Sequence, residues 1–326
     1  MEARVVLHCA ATLLVWSCLV AGTALAQGDY PARPVRIIVP SPPAGGTDII
    51  GRVLAQHFTR AFAQPFVVEN KPGAGNMIGI ENVARAAPDG HTLLMVASTL
   101  ALNSVLYRKV PYDPVRDFAP ITLAAIAPNV LIVGPSVPAG SLAEFIALAR
   151  KEPGNLTYGT PGIGTSPHLC MELLKSMARI DLRHVPYRGT APALTDVIGG
   201  QVSAMFANAL TAKPQIDAGR VRALAVSGPT RIDALPNVPS AAEAGVPGYE
   251  AMQWYGLLAP AGTRPAIIAR LHAEAVRALH ADETKERLSA DGATPVGSTP
   301  DEFSALIRNE LEKWTRVARA AQIEPQ

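Results

Sequence analysis

The sequence predicts a doubly wound α/β architecture in two units joined by two crossings. Short apolar runs alternate with amphipathic helical segments along most of the chain. Several runs are apolar on both faces, as in parallel strands covered by helices. Many run-to-helix junctions are glycine turns. With 326 residues, 48% of them apolar and 17% charged, the chain is long enough for two domains with real cores.

Residues 1–26 read differently. Arg4 gives a positive start, VVLHCAATLLVWSCLVAG is apolar, and Ala24-Leu25-Ala26 supplies small residues before Gln27. This three-part pattern predicts a secretory signal peptide cleaved near Ala26/Gln27. A lipid anchor at Cys18 is the competing reading, and Trp16 suits a lipid-attachment box poorly. After cleavage Cys170 is the only cysteine, so no internal disulfide is expected. The net charge is +2, and it stays so when Glu2 and Arg4 leave together. No basic run or aromatic-basic interleaving points to nucleic acid. No second apolar stretch approaches about 18 residues, so the mature chain is expected to be soluble.

The first unit opens with VRIIV (Val35–Val39), FVVEN (Phe66–Asn70) and TLLMVA (Thr92–Ala97), read as buried strands. Asp48–Phe62 and Met77–Arg85 between them read as helices, giving βαβαβ. A Pro-rich connector, YRKVPYDPVRDFAP, leads to TLAAIAPNVLIVGPS, read as one or two strands broken at Pro128. SLAEFIALARKEPG is a helix with a Ser cap and a Pro-Gly stop. LTYGT, RHVPY, VSAMFA and VRALAVSG read as strands. SPHLCMELLKSMA, APALTDVIGG and KPQIDAG supply helices or helix ends. WYGLLAP is a returning strand, and Pro265–His280, Asp282–Ser289 and Pro300–Ala321 are closing helices. The crossings fall near Thr122–Pro128 and Gln253–Ala259. Residues 27–124 with 253–326 then form one domain and residues 125–252 the other. Ligands of such folds sit at strand carboxyl ends and between domains.

Four turns each follow a strand and open a helix: SPPAGGTD, KPGAGNMIG, TPGIGTSPH and YRGTAPAL. In the first, Gly45 and Gly46 can adopt positive φ, Thr47 is a candidate N-cap and Asp48 suits the first helical turn. Such turns aim backbone N–H groups at an anion. A bare structural turn is the competing reading. GxxxxGK[ST] is absent, and GAGNMIG places Ile78 where a dinucleotide fingerprint needs glycine. GxSxG is absent too. Ser166 and His168 lie two apart on one helix and do not face each other. His168 reads as a packing or rim residue, and scattered histidines give zinc little support. The four turns look built to hold a small anion, with no nucleophile, metal or acid–base pair to transform it.

These residues resemble the Bug family of bacterial extracytoplasmic receptors, also called TctC, the solute-binding subunits of tripartite tricarboxylate transporters. The resemblance runs from about Tyr30 to Ile323. It is carried by YPARPVRIIVPSPPAGGTDIIGRVLAQ, VVENKPGAGNMIG, VPYDPVRDFAPITL, YGTPGIGTSPHL, HVPYRGTAPALTDVIGGQVSAMF, GRVRALAVSG and WYGLLAPAGT. It implies a type II periplasmic binding protein fold that closes on a small organic carboxylate in the periplasm. It also implies no enzymatic activity, no cofactor and no metal. Membrane subunits of a transporter, on separate chains, would be partners of a monomeric receptor. A signalling sensor is the alternative, and an exported enzyme using His168, His184 or Asp48 a more distant one. Carried over, the ligand-binding set is Gly45, Gly46, Thr47, Asp48, Gly73, Ala74, Gly75, Asn76 and Ser98 in the first domain. In the second it is Gly162, Gly164, Thr165, Ser166, Arg188, Gly189 and Asn208. This chain departs from the family where an aromatic usually precedes PPGGG and Ser41 stands here, and where Ala44 replaces a glycine. Ala207-Asn208 replaces Asp-Asn, which favours a carboxylate without an α-ammonium group.

Overall fold

The computed structural model describes residues 30–43, 45–290, 292–320 and 325. The expected signal peptide and Ala44 lie outside the described residues.

The first half contains β1 (Val35–Val39), α1 (Gly46–Phe62), β2 (Phe66–Asn70), α2 (Met77–Ala84), β3 (Thr92–Ala97) and α3 (Thr99–Leu106). β1 pairs in parallel with both β2 and β3. β4 (Phe118–Val133) then runs as one 16-residue strand. Beyond it lie α4 (Leu142–Lys151), β5 (Thr157–Thr160), α5 (Ser166–Ala178), β6 (Arg183–Pro186) and α6 (Thr190–Ile198). β7 (Ala204–Asn208), α7 (Ala209–Asp217) and β8 (Arg222–Val226) complete the second half. β9 (Met252–Pro260) returns the chain to the first half, followed by α8 (Pro265–His280), α9 (Asp282–Ala290), β10 (Thr294–Pro295) and α10 (Pro300–Ala320).

The strands follow the order β2-β1-β3-β9-β4-β7-β5-β6, with β8 and β10 also paired to β4. Two expectations need correction. Pro128 does not break β4. It sits where β4 exchanges β9, paired up to Pro128, for β7 and β8, paired from Asn129 and Val130. A missing N–H is tolerated at such a handover of partners. β2 is not buried on both faces: it is a sheet edge, and Val67 is 53% exposed. Its apolar run reads like β1, but no strand among the described residues covers its far side. The helix α3 was not anticipated, since TLALNSVL has no strong start or stop signal ahead of the proline-rich connector. The predicted Ser cap of α4 is present: Ser141 Oγ accepts from Glu144 N at 3.2 Å.

The registers fix where the two halves face each other. Ala97, at the end of β3, pairs with Tyr255, which pairs with Ala125. Asn208, at the end of β7, pairs with Asn129. β4 runs parallel to β3 and antiparallel to β7. The carboxyl ends of the two parallel strand sets therefore point at one another across residues 125–129 of β4. Buried Leu102, Leu106 and Trp314 join Leu169, Leu174 and Phe206 in one apolar cluster that bridges the halves.

Candidate functional site

Five of the six helices that begin at this junction share a property. All five that directly follow β1, β2, β3, β5 and β6 start without a side-chain cap. By contrast α4 is capped by Ser141 and α7 by Asn208. A helix start leaves its first N–H groups unsatisfied, and its dipole is positive there.

Gly45 and Gly46 differ from expectation. Gly45 is the N-cap, with φ −84°, and neither glycine has positive φ. Thr47 is not a cap but lies buried inside the first turn. What Gly46 supplies is closeness: a Cβ there would lie 2.5 Å from Tyr255 Oη. Asp48 is 3% exposed and accepts from Arg52 Nε at 2.8 Å, Arg52 Nη2 at 3.0 Å and Asn70 Nδ2 at 2.9 Å. Asn70 Nδ2 also donates to Ser41 O at 3.0 Å. Asp48 thus anchors the turn to the end of β2, and the Arg52 guanidinium is pushed up chiefly by its hydrogen bond to Asp48. The Ser41 hydroxyl is buried and has no hydrogen-bond partner among the described residues.

The second turn is conformationally costly. Gly73, Ala74, Gly75 and Asn76 all have positive φ, and Ala74 and Asn76 are not glycines. Such backbone persists only where the surroundings hold it. Asn103, buried in α3, donates to Gly75 O at 2.8 Å, and Asn76 Nδ2 donates to Thr99 Oγ1 at 3.2 Å. Ser98, the 2%-exposed residue before α3, makes no side-chain hydrogen bond among the described residues.

In the second half, Gly162 (φ 146°) and Gly164 (φ 79°) shape the turn into α5. Thr165 donates its hydroxyl to Gly162 O at 2.8 Å, so it braces the turn. Ser166 Oγ accepts from Asn129 Nδ2 at 2.9 Å, and its own proton can turn either to Cys170 Sγ, 3.9 Å away, or outward. Tyr187 N donates to Thr160 O and Gly189 N to Pro161 O, binding the 188–189 turn to the 162–166 turn. Arg188 is exposed and has no side-chain partner among the described residues. Asn208 Oδ1 accepts from Thr211 N and Oγ1, and Nδ2 has no partner among the described residues.

The halves touch around this junction. A Cβ on Gly164 would lie 2.9 Å from Leu106 Cδ1, and one on Gly292 would lie 2.4 Å from Ala209 Cβ. A cavity of about 30 Å³ remains between them, lined by Gly46, Ile49, Ala127, Asn208 and Tyr255 among others. The structure therefore brings Gly46 and Asn208 onto one cavity, and Gly164 against the first half. Gly73–Asn76 packs on α3, and no contact places Arg188 or Gly189 in the cavity. Roomier hollows of about 420 Å³ beside His57 and Glu274, and about 250 Å³ beside Arg231 and Ser289, contain none of the predicted turns. Tyr255 and Asn129 were missed by sequence reasoning. Tyr255 lies in a quoted strand, WYGLLAP, but nothing there marks its hydroxyl as facing a glycine turn.

His168 and His184 pack in one aromatic stack with Tyr158. His168 is 5% exposed and its Nδ1 accepts from Gly164 N at 3.2 Å. It stacks on His184 at 4.4 Å, and His184 stacks on Tyr158 at 4.8 Å. His184 Nε2 lies 2.6 Å from Thr160 Oγ1. Burial lowers the pKa of His168 and, with His168 beside it, pushes His184 down to about 4. Burial pushes the Cys170 thiol up to about 11, which makes it a poor nucleophile. Among the described residues no group of three or more His, Cys, Asp or Glu side chains is arranged to hold a metal. No helix among them is long and apolar enough to cross a membrane.

The model of the tripartite tricarboxylate transporter family receptor, TctC, matches residues 50–323. The protein BugT of Bordetella pertussis is 37% identical over 292 residues, covering 89% of this chain and 90% of that one. A structure described as Rpa4515 of R. palustris with adipate superposes with a TM-score of 0.83 at 36% identity, covering 91% of this chain and all (100%) of that one. MatC of Rhodopseudomonas palustris with bound malate gives 0.77 at 34% identity, covering 88% and 99%.

Proposed function

The chain belongs to the tripartite tricarboxylate transporter receptor family, and we propose that it captures a small organic carboxylate in the periplasm and delivers it to the membrane subunits of such a transporter. Its fold is that of the periplasmic binding proteins of this family. The observation that carries the ligand class is the set of five uncapped helix starts gathered at one junction between two α/β halves. A carboxylate desolvated between the halves needs donors, or its burial costs several kcal/mol. Helix starts and the Ser98, Ser166 and Asn208 side chains supply them.

The remaining cavity, about 30 Å³, holds little more than one water. Entry of an organic acid thus requires the halves to part at β4 and β9, with residues 27–124 and 253–326 moving against 125–252. A ligand that bridges both sets of turns then favours the closed form, because only that form completes its contacts. The membrane subunits would read this closure. The adipate and malate held by two relatives support the ligand class.

Calorimetric titration and thermal shift with adipate, malate and a panel of amino acids and neutral sugars test the reading. Saturable binding of a dicarboxylate, with a raised melting temperature, is the expected result. Stabilisation by a neutral sugar, with no response to any acid, would overturn it.

A further inference from the structure

Asn129 occupies a singular place in the fold. It is 1% exposed and lies on β4 where that strand passes from one half to the other. Its neighbour across the ladder is Asn208, a residue of the cavity wall. Its amide nitrogen donates to Ser166 Oγ at 2.9 Å and to Cys170 Sγ at 3.3 Å, both on the first turns of α5. Its backbone N–H donates to Ser227 Oγ at 2.8 Å, and Ser227 Oγ donates in turn to Ala251 O at 2.6 Å, one residue before β9. The side chain thus ties the turn that opens α5 to β4 and, through Cys170, whose thiol donates to Ala251 O at 3.8 Å, to the start of β9. Its carbonyl oxygen Oδ1 is buried and has no hydrogen-bond partner among the described residues. A buried carbonyl oxygen left unmatched is rare and costly, and it persists where something other than stability keeps it.

We propose that Asn129 is a positioning residue: it holds the Ser166 hydroxyl proton free for a ligand oxygen and links that turn to the hinge strands. A hydroxyl that accepts from an amide can donate outward, whereas one that must donate inward presents only lone pairs to the ligand. Loss of the amide lets Ser166 turn and removes the side-chain tie between α5 and β4. The ligand half of this inference rests on the proposed function, and the link to the hinge does not.

Two measurements on the full chain test it, with Asn129→Leu and Asn129→Asp as the variants. The Asp variant keeps size but can only accept from Ser166, so the serine proton turns inward. The first measurement is hydrogen–deuterium exchange without ligand. Exchange should rise several-fold in both 162–170 and 251–253 in the Leu variant, with α1 and α8 unchanged. A rise spread evenly over the chain, or confined to 162–170, overturns the link to the hinge. The second is titration with adipate and malate in a cycle of Asn129→Asp, Ser166→Ala and the double variant. Each single change should weaken binding about tenfold, and the double change no more than either, since both remove one outward donor. Multiplicative losses overturn the positioning role. If the wild-type chain binds neither acid, the ligand half falls along with that part of the proposed function. The exchange result still decides the hinge link.

Discussion

Replacing Gly46 by alanine tests whether the first turn is built for close approach. The new Cβ would lie 2.5 Å from Tyr255 Oη, 2.8 Å from Cζ and 3.2 Å from Cε1. Tyr255 is 3% exposed, and its hydroxyl accepts from Gln253 Nε2 at 2.8 Å, so the ring cannot swing aside freely. Overpacking of this kind costs about 1–3 kcal/mol. At roughly 2 °C per kcal/mol for a chain of this size, the melting temperature should fall by about 2–6 °C. Binding should weaken as well, because the displaced ring borders the interdomain cavity. The neighbouring Gly45→Ala is the control. Its Cβ would meet only Pro42 O at 3.9 Å, and its φ of −84° suits any residue. It should change stability by less than about 1 kcal/mol, since the loss of an N-cap glycine is offset by the lower entropy of the unfolded chain. Urea unfolding and calorimetric titration of both variants make the comparison. If the two alanines behave alike, close approach to Tyr255 is not what Gly46 is for.

Other outcomes follow from the same geometry. Thr165→Val should lower stability by about 1 kcal/mol through loss of the bond to Gly162 O, whereas Ser166→Ala should act mainly on affinity; urea midpoints and titrations separate the two. Asp48→Ala should cost about 1–3 kcal/mol by stripping Arg52 and Asn70 of their shared acceptor, and an unchanged unfolding midpoint would refute the anchoring role. His184 titrates near 4 when folded and 6.5 when free. Between pH 6.5 and about 4 only the unfolded chain binds that proton, so stability falls through this window, by at most about 3 kcal/mol, and levels off below it. His184→Gln should flatten that slope in urea melts at pH 7 and pH 4.5; an equal slope in both proteins would contradict the assignment.

Much of the fold was legible because its strands and helices carry their own periodicity. VRIIV and TLLMVA are strands in the sequence and in the structure. The strands that carry the expected crossings, β4 and β9, were legible from their apolar runs. What local pattern does not encode is partnership. FVVEN and VRIIV look alike, yet one is an edge and the other is central. Pro128 looks like a break, and becomes harmless only because β4 changes neighbours at that residue.

The same limit governs the site. The turns could be read from their glycines, since left-handed backbone at Gly73, Gly75, Gly162 and Gly164 leaves a residue-type signature. Gly46 leaves the same letter for a different cause, the approach of a tyrosine 209 positions away, and sequence alone assigns it the wrong one. Asn129 leaves no signature at all. Its neighbours in APNVLIV read as an ordinary apolar strand, while its partners Ser166, Cys170 and Ser227 are 37, 41 and 98 positions distant. Turns whose glycines carry left-handed backbone are thus visible early. Residues that orient those turns from across the sheet become visible only when register puts them there, as it puts Asn129 opposite Asn208.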